Sequence, residues 1–83
     1  MPRRPEWRVH PLAAEMGGYA VIPLKRLTLG GKLRRVGDVV VICGQHDLKV
    51  AANLCRGGAA RPADERTRLD VDLWLALRGS EVA

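Results

Sequence analysis

The side chains of this sequence best equipped for chemistry are cations. Lys25, Arg26, Lys32, Arg34 and Arg35 place five positive charges in eleven residues around the pair Gly30-Gly31. Residues 1–35 carry eight Lys or Arg against two acids, a net of +6, whereas residues 36–83 carry six against seven, a net of −1. The basicity is therefore local, and clustered charge focuses potential in one place, which points to an anionic partner. Arg outnumbers Lys eleven to three, and the planar Arg fork suits phosphate or carboxylate better than a point charge does.

Three other constellations carry less. Cys43, His46, Cys55 and His10 have the atoms for zinc, but the eight residues between His46 and Cys55 match no usual ligand spacing. Core thiols explain both cysteines. Asp70 and Asp72 would share one face of a strand and, with Glu65, could hold a metal for phosphodiester cleavage. Solvated carboxylates opposite a leucine face explain the same residues with less. Ser80 is the only serine, and neither Gly30-Gly31 nor Gly57-Gly58 is followed by the Gly-Lys-Ser/Thr of a phosphate loop. The expectation is a non-enzymatic protein without a catalytic site, metal or cofactor.

The cations need a frame to hold them. A chain of 83 residues supports one domain with a small core. Residues 6–79 read as that domain, after an arm at residues 1–5, whose Arg3 and Arg4 add to the basic surface, and before a tail at residues 80–83. No apolar leader opens the chain, and no run approaches the roughly 18 to 20 apolar residues of a membrane span. A soluble, cytoplasmic protein away from membranes is expected, its two cysteines kept as thiols. With no Phe, and only Trp7, Tyr19 and Trp74 as aromatics, base stacking is disfavoured. Nucleic-acid contact would be to phosphate.

Along the chain, Trp7 and Val9 alternate with Arg8 and His10, which predicts a short strand ending at Pro11, followed by a turn over residues 13–18. Residues 19–22 form a β-prone run, and Pro23, which has no N–H to give, argues for an edge position or a bulge. Gly30-Gly31 reads as a two-residue hairpin turn that pairs Leu29 with Lys32, Leu27 with Arg34 and Arg26 with Arg35. The cations then fall on both faces, so neither face should pack on a core and the tip should project. Residues 36–44 are among the most apolar of the chain, β-branched and without alternation, the signature of a central strand covered on both faces. Leu48, Ala51, Ala52 and Cys55 lie at i, i+3, i+4 and i+7, the stripe of an amphipathic helix. Asp47 is its expected N-cap, Arg56 sits in its last turn and Gly57-Gly58 ends it. Residues 57–66 read as a linker. Leu69, Val71, Leu73, Leu75 and Leu77 then repeat with a period of two, which favours a strand, while the i+4 spacing of Leu69, Leu73 and Leu77 keeps a helix open. The outcome is an α+β fold, an antiparallel β-β-β-α-β sheet with one helix packed on one face. Its leucine-rich last strand and open edges invite a homodimer.

Residues 34–49 resemble the KOW motif of ribosomal and transcription-elongation proteins, in which Gly-Asp precedes a β-branched strand, a glycine and a basic turn. Gly37, Asp38, Val40, Val41, Ile42, Gly44 and Lys49 carry that likeness. More broadly, the segments at residues 7–9 and 17–22, followed by a strand and an amphipathic helix with Asp near its start, resemble short orphan proteins of phages and prophages. Such proteins often bind nucleic acid or a host protein, and anti-CRISPR inhibitors are among them. Two functions follow as expectations. One is a basic binding protein that contacts nucleic acid or a nucleoprotein complex through the hairpin. The other is an inhibitor or adaptor from a phage or mobile element that acts on a host complex, with an acidic protein surface as its target.

Overall fold

The computed structural model describes residues 8–82, with side chains described as far as residue 78. Arg3, Arg4 and Trp7 lie outside the described residues. The sheet is assembled around β1 (Tyr19–Pro23), which pairs antiparallel with β4 (Val40–Ile42) on one side and β5 (Ala60–Pro62) on the other. β2 (Leu27–Leu29) and β3 (Lys32–Arg34) form a separate two-stranded ribbon. Helix α1 (Pro11–Met16) precedes β1, α2 (Asp47–Arg56) lies between β4 and β5, and α3 (Glu65–Val82) closes the chain. The fold is α+β, with a small antiparallel sheet covered by helix.

The centre of the sheet is displaced from where residues 36–44 place it. β1 is central and β4 is an edge strand. Its apolar run reflects helical neighbours instead, since α1 and α2 both pack near β4. Pro23 is correspondingly not at an edge: it is the last residue of the central strand, opposite Ala60. Leu24 N–H and the Ala20 carbonyl both bond toward the β5 side, to Ala59 O and Ala63 N. Alternation then turns the Pro23 nitrogen the other way, beyond the point where β4 pairing stops at Val21, so the missing donor costs no ladder bond. Just before β1, Gly18 is a close-approach glycine: a Cβ there would lie 2.3 Å from the Ile42 carbonyl oxygen.

Among the described residues no strand forms at Val9, and the turn expected over residues 13–18 is mostly taken up by α1, which starts at Pro11. Pro11 is pre-set for the first helical position, His10 caps it by accepting the Leu12 N–H on Nδ1 at 3.1 Å, and Gly17 ends it at φ 77°. Residues 57–66 are likewise more than a linker, because β5 forms within them. Three residues ending in proline leave little strand signal, and the pairing comes from β1.

Helix α2 buries Ala51 and Ala52 completely, with Leu48 and Cys55 beside them in the core. Its N-cap is His46 without a side-chain cap bond, and Asp47 is the first helical residue, accepting the Leu48 N–H on Oδ1.

The final element is a helix and not a strand. Its N-cap is Asp64, at 8% exposure, whose Oδ1 accepts the Thr67 N–H at 2.7 Å while Oδ2 accepts the His10 N–H. One carboxylate thus starts α3 and ties down the segment before α1. The period of two comes from two interleaved helical stripes. Thr67 and Val71 are buried, with Trp74 and Leu75 packed against the core, and Leu69, Leu73 and Leu77 form a second stripe on the outside, exposed at 48, 60 and 57%. The helix runs on to Val82, through residues expected as tail. α2 and α3 pack on each other and on β1 and β5. Two helices therefore cover the sheet where one was expected. The core they close is made of Val and Ala, with Val21 and Val71 its largest fully buried apolar side chains besides Pro23. Small residues let helices lie close to a sheet, and they also keep the buried area of this domain modest.

Candidate functional site

The hairpin forms in the expected register. Gly30 and Gly31 take φ of 62° and 80°, the doubly positive geometry of a type I′ turn. Leu29 pairs with Lys32, Thr28 with Leu33 and Leu27 with Arg34. Arg26 and Arg35 flank the ladder just outside it, and Lys25 lies in the bend before β2. At the base, the Gly37 N–H donates to the Pro23 carbonyl at 3.1 Å, which anchors the ribbon to the end of the central strand.

Cross-strand partners share a face, so Leu27, Leu29, Lys32 and Arg34 lie on one side and Thr28 and Leu33 on the other. The first side is partly covered. Leu29 packs against the core cluster, and Leu27 and Arg34 are half-buried. This corrects the expectation that neither face could touch the core. Thr28 and Leu33 face outward, exposed.

The five sequence-predicted cations are thus brought together, in unequal states. Lys25, Arg26, Lys32 and Arg35 are exposed. Arg34 folds back over the turn, its Nε donating to the Leu29 carbonyl at 3.3 Å. None of the five forms an ion pair among the described residues; the pair found there, Arg8 to Glu65 at 4.0 Å, joins the segment before α1 to the first turn of α3. The nearest acid in sequence, Asp38, directs Oδ2 to the Arg35 backbone N–H at 3.4 Å. It caps the turn and leaves the guanidinium open.

No family model, curated protein or solved structure matches this chain.

The other constellations do not converge. Asp70 and Asp72 sit two residues apart on α3, about 200° around its axis, not on one strand face. Asp70 Oδ2 accepts the Tyr19 hydroxyl at 2.8 Å, Asp72 is exposed, and Glu65 faces Arg8. Among the described residues no three His, Cys, Asp or Glu are grouped as a metal would require. Cys43 is exposed, with its thiol 3.6 Å from the Met16 carbonyl. Cys55 is half-buried, and burial, aided by Asp72, pushes its thiol up from the ordinary value.

Sequence reasoning missed one polar cluster. The Arg66 guanidinium stacks on the Tyr19 ring at 4.5 Å and donates to the Gly18 carbonyl, while Tyr19 donates to Asp70. Burial first, then the hydrogen bond to Asp70, raise the Tyr19 phenol above its ordinary value. Tyr19 and Asp70 stand 51 residues apart, so no local pattern could have joined them. The cluster borders a cleft of about 290 Å³ lined by Arg8, Val9, Glu65, Arg66, Leu69 and Asp70. Both acids in that lining already have cationic or phenolic partners, so the cleft reads as a structural seam. A second cleft of about 280 Å³, lined by Leu48, Asp70, Leu73, Trp74 and Leu77, continues the outer leucine stripe of α3. Trp74 carries Arg78 over its ring at 5.1 Å. Neither aromatic is part of the hairpin, which keeps base stacking away from the cations. No described helix is long and apolar enough to cross a membrane.

Proposed function

We propose that this protein is a non-catalytic binding module that engages an anionic macromolecule, a nucleic acid or a nucleoprotein complex, through the β2–β3 hairpin. One observation carries the reading: five cations are gathered on an anchored ribbon and none is paired with an acid among the described residues. Cations kept for solubility alone have no need of a fixed register, whereas a rigid ribbon presents charge at constant spacing and loses little entropy on binding. Contact with a nucleic acid would be to phosphates, because the ribbon carries no aromatic ring to stack and phosphate contacts need only positioned donors.

The test is titration of a short mixed-sequence duplex, followed by fluorescence anisotropy across a salt series. Affinity should fall steeply with salt and differ little between sequences. Arg26→Glu with Arg35→Glu should abolish binding, and binding that survives this double change at low salt rules the hairpin out.

Self-association belongs to the same proposal. The leucines expected at a sheet edge lie instead along the outside of α3, and a homodimer would bury Leu69, Leu73 and Leu77 of both copies. Sedimentation should then show a dimer that Leu73→Glu converts to monomer.

A further inference from the structure

The cations of the hairpin are interleaved with exposed apolar side chains. Leu33, at 61%, is the most exposed large hydrophobic side chain among the described residues, and it occupies the outward face of β3. Val36 at 58% and Leu24 at 47% sit at the base, next to Gly37 and Pro23, whose hydrogen bond brings the two strands' ends together. Val36 is three residues from Leu33, within about 10 Å along an extended chain. Arg26 and Arg35, the next positions of the ribbon on the side of Thr28 and Leu33, border this apolar centre, with Lys25 exposed at the base, while Lys32 lies on the other side.

Phosphate contact does not explain that centre. A duplex backbone offers nothing to a leucine, and reading single strands takes stacked rings, which this ribbon lacks. A partner with carboxylates around its own apolar side chains matches both parts: Arg forks take carboxylates in pairs, and desolvated apolar anchors with an Arg rim are the usual anatomy of a protein interface. The backbone adds a third feature. β2 and β3 form a sheet of their own, and Thr28 and Leu33 are the pair next to the bonded pair that flanks the turn. Their N–H and C=O groups therefore point outward along the open edges, where an extended segment can add as a strand.

We infer that the hairpin's preferred partner is an acidic segment of a protein chain with apolar residues between its carboxylates, docked in extended form beside Leu33 and Val36. This rests on the hairpin being the binding surface and names the chemistry it selects.

The experiment compares three probes by fluorescence anisotropy at one ionic strength: a peptide alternating glutamate with valine or leucine, a length-matched polyglutamate, and a short mixed-sequence duplex. The alternating peptide should bind at least about tenfold tighter than polyglutamate, and Leu33→Ser with Val36→Ser should erase that margin. Circular dichroism should show the double variant folded, as expected for exposed positions; Leu33→Lys, which keeps a long side chain, should lose the margin as well. Equal binding of the two peptides overturns the inference. So does a duplex that binds tightest and ignores Leu33→Ser with Val36→Ser, an outcome that leaves the basic hairpin standing as a phosphate site. If Arg26→Glu with Arg35→Glu changes no probe's affinity, the hairpin reading fails and this inference falls with it.

Discussion

Arg34 Nε donates to the carbonyl of Leu29 across the hairpin turn at 3.3 Å. Leu29 in turn packs on the core, so this cation ties the tip of the ribbon to the body of the protein. Arg35, one residue on, is exposed and directs only its backbone toward Asp38. Adjacent arginines, alike in sequence, therefore have different duties.

Their alanine variants should separate. Arg35→Ala should reduce the salt slope of duplex binding by about one, as the loss of one phosphate contact requires. Arg34→Ala should change that slope less and cost about 0.5 kcal/mol of stability through the lost bond to Leu29. Salt-series anisotropy and urea denaturation measure the two effects, and identical profiles for both variants would contradict the division of roles.

Two glycines near the site are needed for different reasons. At Gly31, φ is +80° and a Cβ would meet nothing within 4 Å, so Gly31→Ala should cost only the backbone term, roughly 1 kcal/mol. At Gly18 the Cβ would lie 2.3 Å from the Ile42 oxygen and 2.9 Å from the Cys43 Sγ. Gly18→Ala must push β4 away from β1, at roughly 3 kcal/mol. Denaturant midpoints of the two variants give the comparison directly, and Gly18→Ala should be clearly the less stable.

What was legible in the sequence was whatever a local rule decides. Gly30-Gly31 set the hairpin register, because two positive-φ residues admit few turns, and the stripe from Leu48 to Cys55 set α2. The five cations followed from that register. What depended on distant partners was hidden. β4 looks central because helices cover an edge, and β5 is too short to read until β1 pairs with it. α3 defeats periodicity for a specific reason: buried Val71 and half-buried Leu75 alternate with exposed Leu69, Leu73 and Leu77, and two i+4 stripes offset by two residues mimic a strand. The deciding signal was Asp64, an N-cap lying inside what reads as linker. The apolar centre of the hairpin was visible as Leu33 and Val36, but only exposure shows that nothing in the described fold covers them.

Thr67 is fully buried, and its hydroxyl oxygen has no hydrogen-bond partner among the described residues. A buried hydroxyl without a partner keeps its desolvation cost, about 1 to 3 kcal/mol. Thr67→Val retains the shape and removes the polar atom, while the Asp64 cap is untouched because it takes the Thr67 backbone N–H. The variant should be more stable by about 1 kcal/mol, read as a higher urea midpoint with an unchanged slope. A loss of stability would mean that the hydroxyl finds a partner in solution.

Tyr19 supplies a pH test that reports on one group, since it is the only tyrosine. Burial and its hydrogen bond to Asp70 favour the neutral phenol, so its folded pKa lies above the unfolded one. The sign follows from linkage. The stabilisation is complete below about pH 10, the ordinary phenol value, and is lost as pH rises from there through the folded pKa, because the unfolded chain ionises first. Tyrosinate absorbance in the folded protein should therefore have its midpoint above about 10. Asp70→Asn should lower that midpoint, because it removes both the charge and the carboxylate acceptor. Tyr19→Phe keeps the ring under Arg66 and should flatten the alkaline decline of the urea midpoint. A folded-state midpoint at the ordinary phenol value would show that neither the burial of Tyr19 nor its bond to Asp70 persists in solution.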